Sequence, residues 1–151
     1  MYLEVKNLVK YYREETPVIK KLNFSVKKGE IISFLGESGS GKTTFLKCIS
    51  GLEKINSGTI SLNNNILNNR NIFIKPQKRK IGFVFQDYPL FPHLNLKENI
   101  IFNLKPKYIK KLDYMISLTG LENLLFRYPH ELSGGEQQRA CIARALIREP
   151  D

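Results

Sequence analysis

Eight consecutive residues, from Gly36 to Thr43, have the types and spacing that hold a chain of phosphates. They read Gly-Glu-Ser-Gly-Ser-Gly-Lys-Thr and fit the pattern G-x-x-x-x-G-K-[ST] at every fixed position. Glycines adopt positive φ values, so that successive backbone N–H groups converge on an anion where a helix begins. In such a loop Lys42 reaches the β- and γ-phosphates, and the Thr43 hydroxyl ligates Mg²⁺. The alternative interpretation is a chance match in a glycine-rich turn.

The residues around this loop predict the required order of strand, loop and helix. Residues 31–35 are an apolar run typical of a buried strand, and residues 44–50 are predicted to form a helix that Gly51 ends in left-handed geometry. Residues 81–85 predict a second buried strand, which runs into Gln86. A polar residue at the end of a core strand is where α/β folds place ligand contacts. A loop glutamine without that role is an equally open interpretation.

Short extended segments before the phosphate-binding loop (the P-loop, residues 36–43) predict an antiparallel sheet beside the core that contains this loop. They cover residues 2–5, 18–20 and 24–26, and residues 56–58 and 59–62 predict a turn followed by another strand. Tyr11 and Tyr12 lie upstream of the loop. From the residues alone, packing of one or both rings on the sheet is the favoured interpretation.

The second half of the chain has the signals of capped helices. Asn95 and Glu98 have capping-box spacing, which predicts a helix from Leu96. Pro106 breaks that pattern, and apolar residues then recur at helical spacing until Gly120 supplies a stop. Those residues, predicted to be ordinary core, are Ile109, Leu112, Met115 and Ile116.

Residues 132–148 predict a further helix that begins at a second capping box, formed by Ser133 and Glu136. A well-capped helix needs no ligand, and this is one interpretation of the segment. The other is a second anion site, because Gly134, Gly135 and a hydroxyl at a helix N-terminus expose backbone N–H groups. The residues alone leave both open.

Length and composition favour one domain with anionic partners. The chain has 151 residues, of which 42% are hydrophobic, and 24 Lys and Arg against 14 Asp and Glu give a net charge of +10. This charge favours nucleotide phosphates, nucleic acid or an anionic membrane surface. No apolar run approaches the roughly 20 residues that span a bilayer, and residues 1–6 lack a signal-peptide block, so a cytoplasmic protein is expected. Cys48 and Cys141 match no metal spacing and are predicted to be reduced and buried.

The P-loop, the segment ending in Gln86, and Leu132-Ser133-Gly134-Gly135-Glu136, in this order and spacing, resemble the nucleotide-binding domain of ATP-binding cassette (ABC) transporters. The resemblance implies an α/β fold with a P-loop NTPase core, an N-terminal antiparallel β subdomain and an inserted helical subdomain that carries the signature motif. Residues 1–95 would form the core with its β subdomain, and residues 96–145 the helical subdomain. ATP and Mg²⁺ are the implied cofactors.

The resemblance also implies a role for each matching residue. Tyr12, rather than Tyr11, would stack on adenine, and Gln86 would contact Mg²⁺ and the attacking water. Residues of the signature motif would contact the γ-phosphate held by a second copy, which implies a head-to-tail dimer. The residues implied to bind nucleotide are Tyr12, Gly36, Ser38, Gly39, Ser40, Gly41, Lys42, Thr43, Thr44, Ser133, Gly134 and Gly135, with Thr43 and Gln86 at the metal.

Residues 85–94 are similar to those of bacterial importers for sugars, polyamines and ferric iron, and residues 118–132 are most similar to the ferric-iron branch. An importer ATPase would lie on the inner face of the cell membrane against transmembrane permease subunits. One alternative is a soluble ABC ATPase that acts on nucleic acid or ribosomes, which the basic residues 75–80 favour and residues 88–94 disfavour. Another is a non-catalytic nucleotide-binding fragment.

The resemblance stops at Asp151, where the Walker B strand of the family would follow. We therefore expect a piece of a longer protein, with no ATP turnover by itself and with apolar surface and backbone groups left uncovered. His93 and His130 do not match the switch histidine of the family and are interpreted as structural.

Overall fold

The N-terminal half of the chain forms an antiparallel sheet, as its extended segments predict. The computed structural model describes residues 1–13 and 16–151. Its strands are β1 (Leu3–Tyr11), β2 (Pro17–Val26), β3 (Ser57–Leu62) and β4 (Asn65–Asn68), paired in the order β2-β1-β3-β4 with every pair antiparallel. The two segments predicted at 18–20 and 24–26 are parts of the single strand β2. Val5, Leu8 and Ile60 form the buried centre of the sheet.

The turn predicted at residues 56–58 is wrong, because Ser57 and Gly58 already belong to β3. The register between β1 and β3 shifts between Lys6 and Val9, so the glycine marks an irregularity in the ladder. A Cβ atom on Gly58 would lie 2.6 Å from the Lys6 carbonyl oxygen, which is a steric clash, so only glycine fits at this position. The close approach of two strands therefore explains a residue that sequence patterns assign to turns.

Helix α1 (Lys42–Ser50) begins within the predicted P-loop, two residues earlier than expected, and ends as expected at Gly51, whose φ is 82°. Three aromatic rings join it to the sheet. The Phe34 ring lies 5.3 Å from that of Phe24 on β2 and 5.4 Å from that of Phe45 on α1, and the Phe24 and Phe45 rings are 5.4 Å apart. Phe34, two residues before the P-loop, therefore packs against both the sheet and the helix.

The two buried strands predicted at residues 31–35 and 81–85 do not form. Ile31 is 98% exposed and Leu35 is 92% exposed. An apolar run becomes a strand only when neighbouring strands accept and donate its backbone hydrogen bonds, and no strand among the described residues pairs with either run. The exposed side chains agree with the expectation of apolar surface left uncovered.

Residues 1–79 and 80–151 are two compact units, and the second is helical. Its helices are α2 (Leu96–Ile101), α3 (Pro106–Ile109), α4 (Leu112–Thr119) and α5 (Gly134–Leu146). Gly120 ends α4 in left-handed geometry, as predicted. The core of this unit consists of Leu96, Ile100, Leu112, Met115, Ile116, Leu121, Leu132, Ala140, Ala143 and Ile147.

Three details of the helical prediction change. Ile109 is exposed on the four-residue helix α3, so its assignment to the core is wrong. Pro106 begins this helix, where a missing N–H is tolerated, rather than only ending the previous one. Helix α5 ends at Leu146, two residues earlier than predicted. Among the residues that the structure describes, no helix combines the length and apolar character needed to cross a membrane.

Candidate functional site

The P-loop has the backbone that phosphate binding requires. Gly36, Gly39 and Gly41 all have positive φ values, of 153°, 81° and 92°. Gly41 is the residue before α1, and a Cβ atom there would lie 3.1 Å from the carbonyl oxygen of Val18 on β2. The loop is therefore seated against the sheet by a residue that has no side chain.

Lys42, the first residue of α1, turns its ammonium back over the loop. Its Nζ donates to the carbonyl oxygens of Gly36 (2.7 Å) and Glu37 (2.6 Å) and to the Ser40 hydroxyl (3.1 Å). Three acceptors match the three donors of an ammonium group. The three hydrogen bonds place one positive charge directly against a glycine-rich turn, the kind of loop that binds anions.

The N-terminus of α1 has no side-chain cap and no acidic residue in its first turn. Its first turn therefore brings no carboxylate of its own to these N–H groups, and the dipole of the helix adds to the charge of Lys42. Thr43 is exposed and Thr44 is half-buried on this turn. A hydroxyl oxygen at Thr43 is the hard ligand type that Mg²⁺ prefers.

The other end of α1 is held by Arg79, which is only 5% exposed. Its guanidinium donates to the carbonyl oxygens of Cys48 (2.9 Å) and Ile49 (2.6 Å) at the end of the helix. It also donates to Leu67 of β4 (3.3 Å) and to Ile74 (2.8 Å). These bonds satisfy the carbonyl groups that every helix leaves open at its C-terminus.

Tyr12 and Tyr11, the two candidates for stacking on the base, differ in how exposed they are. Tyr11 is half-buried at the end of β1, and its N–H donates to the Asn56 side chain at 3.0 Å. Tyr12 is 56% exposed, and the Nζ of Lys10 lies 4.6 Å from the centre of its ring. An exposed ring with one supported face suits stacking on a base better than a ring within the sheet.

The segment that matches the signature motif (the signature segment, residues 132–136) is a capped helix start with exposed glycines. The Ser133 hydroxyl accepts from the Glu136 N–H (3.4 Å) and donates to the Glu136 carboxylate (2.7 Å), which also accepts from the Ser133 N–H (2.7 Å). These hydrogen bonds, first that of the hydroxyl and then that of the backbone, hold the pKa of Glu136 below its usual range. A Cβ atom on Gly134 would meet nothing within 4 Å. The predicted capping box is confirmed, and Gly134 beside it faces open space.

Gln86 lies in an exposed turn that follows residues 81–85. The next segment is held by Asn99, a fully buried residue of α2. The Asn99 side chain accepts from the Phe91 N–H (2.8 Å) and donates to the carbonyl oxygens of Phe91 (3.1 Å) and Leu94 (2.9 Å). Arg144 of α5 donates to the Pro89 carbonyl oxygen at 2.6 Å. Residues 89–94 are thus fixed by side-chain bonds to the backbone rather than by a ladder.

The chain matches the profile of the ABC transporter family over residues 19–151. It belongs to the ABC transporter family. A dimeric structure of MJ0796, a bacterial ABC transporter cassette, superimposes on it with a TM-score of 0.82 at 34% identity, covering 98% of this chain and 70% of that one. This likeness confirms the predicted α/β P-loop NTPase fold.

Its relatives include ATP-binding proteins of several import systems. The Fe(3+) ions import ATP-binding protein FbpC of Haemophilus influenzae (strain 86-028NP) is 42% identical over 155 residues, 99% of this chain and 44% of the relative. The spermidine/putrescine import ATP-binding protein PotA of Thermotoga maritima is 40% identical, over 98% of this chain and 40% of the relative. The chain spans about two fifths of the length of these curated relatives.

Within this ABC cassette, the predicted site residues fall into two groups. Tyr12 and residues 36–44 lie in the first unit, and Gln86 and residues 133–135 lie in the second. Sequence reasoning missed the buried roles of Lys10, Arg79 and Asn99. Arg79 stood among basic residues and carried no distinguishing signal, whereas Asn99 interrupts an otherwise apolar face between Leu96 and Ile100. Such an interruption is a usable signal for a buried amide.

Both cysteines are buried and free, as predicted. Burial raises the pKa of the Cys48 thiol to about 11; the nearby Lys10 cation lowers it by a smaller amount, and the Glu53 carboxylate raises it slightly. Burial also raises the pKa of Cys141. In the part of the chain that the structure describes, no group of three or more His, Cys, Asp and Glu side chains has the arrangement of a metal site.

Proposed function

We propose that this chain is the nucleotide-binding part of an ABC importer ATPase, which binds ATP with Mg²⁺ and couples its hydrolysis to transport. The proposal rests on the Lys42 ammonium, which donates three hydrogen bonds to residues of the P-loop, next to a helix N-terminus that has no side-chain cap. The relatives named as import ATP-binding proteins support the transport class. Ferric iron is one of several substrates that those names cover.

In the proposed mechanism the phosphates of ATP lie on the N–H groups of residues 38–44. Lys42 exchanges its bonds to Gly36 and Glu37 for the β- and γ-phosphate oxygens, which are charged acceptors and therefore stronger partners. Thr43 supplies a hydroxyl to Mg²⁺, which neutralises phosphate charge when it is bound. Tyr12 stacks on the base, and Gln86 orients the attacking water.

The signature segment completes the site of a second subunit in this proposal. Ser133 and Gly135 are exposed at a helix start, which suits a contact with the γ-phosphate held by a partner in a head-to-tail dimer. Residues 88–94 would face the permease on the inner side of the cell membrane. Their fixed backbone, held by Asn99 and Arg144, suits the transmission of a small movement.

A role on nucleic acid is less well supported than the sequence alone indicates. Arg79, one of the four basic residues in 75–80, is buried against carbonyl groups and presents no charge to a phosphate backbone. Lys80 pairs with Asp151 at 3.6 Å. The basic segment is therefore a weaker electrostatic surface than its composition suggests.

Titration with Mg-ATP tests the proposal. Lys42→Ala removes one or two charge-assisted bonds of about 1.5–3 kcal/mol each, so affinity should fall by about tenfold for one weak bond and by up to about 10⁴-fold for two strong ones. Lys47→Ala, in the last turn of the same helix, removes the same charge away from the loop and should bind as the wild type does. Equal affinity of wild type and Lys42→Ala would refute the assignment of the P-loop.

A further inference from the structure

Lys10 is a cation that the first unit buries beside an aromatic ring. The residue is 8% exposed and lies near the end of β1, an interior strand of the sheet. Its Nζ is 3.0 Å from a Glu53 carboxylate oxygen and donates to the Lys54 carbonyl oxygen at 2.9 Å. The same atom lies 4.6 Å from the centre of the Tyr12 ring. One ammonium group therefore joins two segments that are more than 40 residues apart in sequence.

The contact leaves one face of Tyr12 free. Tyr12 follows the last residue of β1 in a bend, and its ring lies against the Nζ of Lys10, which covers one face. Because the ammonium is nearly inaccessible and the Tyr12 ring is 56% exposed, the ring face that turns away from Lys10 is the one open to solvent. A cation held over the inner face also draws electron density inward, which weakens the repulsion that the outer face presents to another π system.

The anchor of Lys10 lies next to the phosphate-binding helix. Glu53 follows Gly51, the residue that ends α1, and its N–H donates to the Lys47 carbonyl oxygen of that helix at 3.1 Å. Helix α1 begins with Lys42 at the P-loop. Through Glu53, the position of the Tyr12 ring is thus tied to the same helix that carries the phosphate loop.

We propose that Lys10 is a positioning residue that orients the Tyr12 ring for stacking on the base of the nucleotide. This inference rests on the proposed function, in which Tyr12 is the base platform. An exposed tyrosine on its own would lose side-chain freedom on stacking, and a cation already fixed beneath the ring removes part of that loss before the nucleotide arrives. The contribution should therefore appear in the recognition of the base and not in the binding of phosphates.

The test compares Mg-ATP with Mg-tripolyphosphate, which has no base, for wild type, Lys10→Met and Lys10→Arg. Lys10→Met should weaken ATP binding by about three- to tenfold and leave tripolyphosphate within about twofold of wild type. Lys10→Arg keeps a cation that stacks on aromatic faces and should restore most of the ATP affinity. Lys28→Met is the matched control, because Lys28 lies over the ring of Tyr2, at 5.6 Å, and should change neither ligand.

A double-mutant cycle with Tyr12→Ala separates positioning from general damage. In the Tyr12→Ala background, Lys10→Met should have no further effect on ATP binding, because the ring that it orients is gone. If circular dichroism shows that Lys10→Met does not fold, Glu53→Gln loosens the anchor while Lys10 stays, and it should weaken ATP selectively by about twofold or more.

The outcomes distinguish this inference from the proposed function. If wild type binds ATP and Tyr12→Ala weakens it while Lys10→Met and Glu53→Gln do not, the positioning role is overturned and the nucleotide site stands. Equal weakening of ATP and tripolyphosphate, or an unchanged effect of Lys10→Met without the Tyr12 ring, also overturns it. Failure of wild type to bind ATP, or binding indifferent to Lys42→Ala, overturns the proposed function itself.

Discussion

Replacing Arg79 with methionine should destabilise the first unit, because this side chain joins the end of α1 to β4. Four buried carbonyl groups would lose a charged donor, each hydrogen bond contributing about 1.5–3 kcal/mol, or about 6–12 kcal/mol in all. Against this, methionine avoids the burial of a guanidinium, which costs several kcal/mol. That burial also lowers the pKa of Arg79. We expect a net loss of about 2–5 kcal/mol.

Urea unfolding followed by circular dichroism, with hydrogen exchange of the α1 amides, measures this loss and its location. Lys78→Met, at an exposed neighbouring position, is the control and should stay within about 0.5 kcal/mol of wild type. Protection of the last turn of α1 should fall most in Arg79→Met. If Arg79→Met is as stable as Lys78→Met, the four bonds do not hold the helix end and the reasoning is wrong.

Gly51 provides an independent check on the same contact. A Cβ atom there would lie 2.5 Å from the Arg79 Nε, and the residue has a φ of 82°. Gly51→Ala should lose about 1–2 kcal/mol to backbone strain and more to displacement of Arg79. With Arg79→Met already present, only the strain should remain, so the two changes should couple by about 1 kcal/mol or more. Strict additivity would contradict the close contact.

Three further predictions concern other buried or hydrogen-bonded groups. Ser133→Ala should raise the pKa of Glu136 toward its ordinary value, which an NMR titration would show. Because the pKa of Glu136 is depressed in the folded chain, the capping box stabilises α5 at pH values above the ordinary pKa of a glutamate. This stabilisation is lost as the pH falls through the folded pKa. Cys48, with a pKa of about 11, should hold roughly one thiolate per thousand thiols at pH 8 and react with iodoacetamide only on unfolding; rapid alkylation of the folded chain would contradict its burial. Asn99→Leu should lower stability by about 2–4 kcal/mol, since several buried backbone groups lose their partner, and an unchanged urea midpoint would contradict that role.

Features determined by adjacent residues could be predicted from the sequence. The P-loop, both capping boxes, and the helix ends at Gly51 and Gly120 depend on backbone preferences within a few residues, and all appear where expected. The short extended segments likewise predict the first part of β1 and two parts of β2, whereas residues 6–11 of β1 were not predicted. The roles assigned to Tyr12, Gln86 and residues 133–135, and the subdomain boundary at residues 95/96, stay predictions.

Features that depend on distant partners could not be predicted. Residues 31–35 have the composition of a buried strand, but a strand exists only if another segment pairs with it. Gly58 was assigned to a turn because its close neighbour on β1 is about 50 residues away in sequence. Arg79 looks like the exposed lysines beside it until the fold places four carbonyl groups around its guanidinium.

The two buried cations of the first unit show how charge is arranged around α1. Arg79 lies at the C-terminal end, where the helix dipole is negative and the carbonyl groups are open, and Lys10 is neutralised by Glu53 just beyond that end. The N-terminal end has no acidic residue and carries Lys42. Positive charge at the C-terminus therefore stabilises the helix in the folded chain, while the N-terminus keeps its attraction for an anion. The net charge of +10 overstates the charge that partners meet, because part of it serves to hold this helix in place.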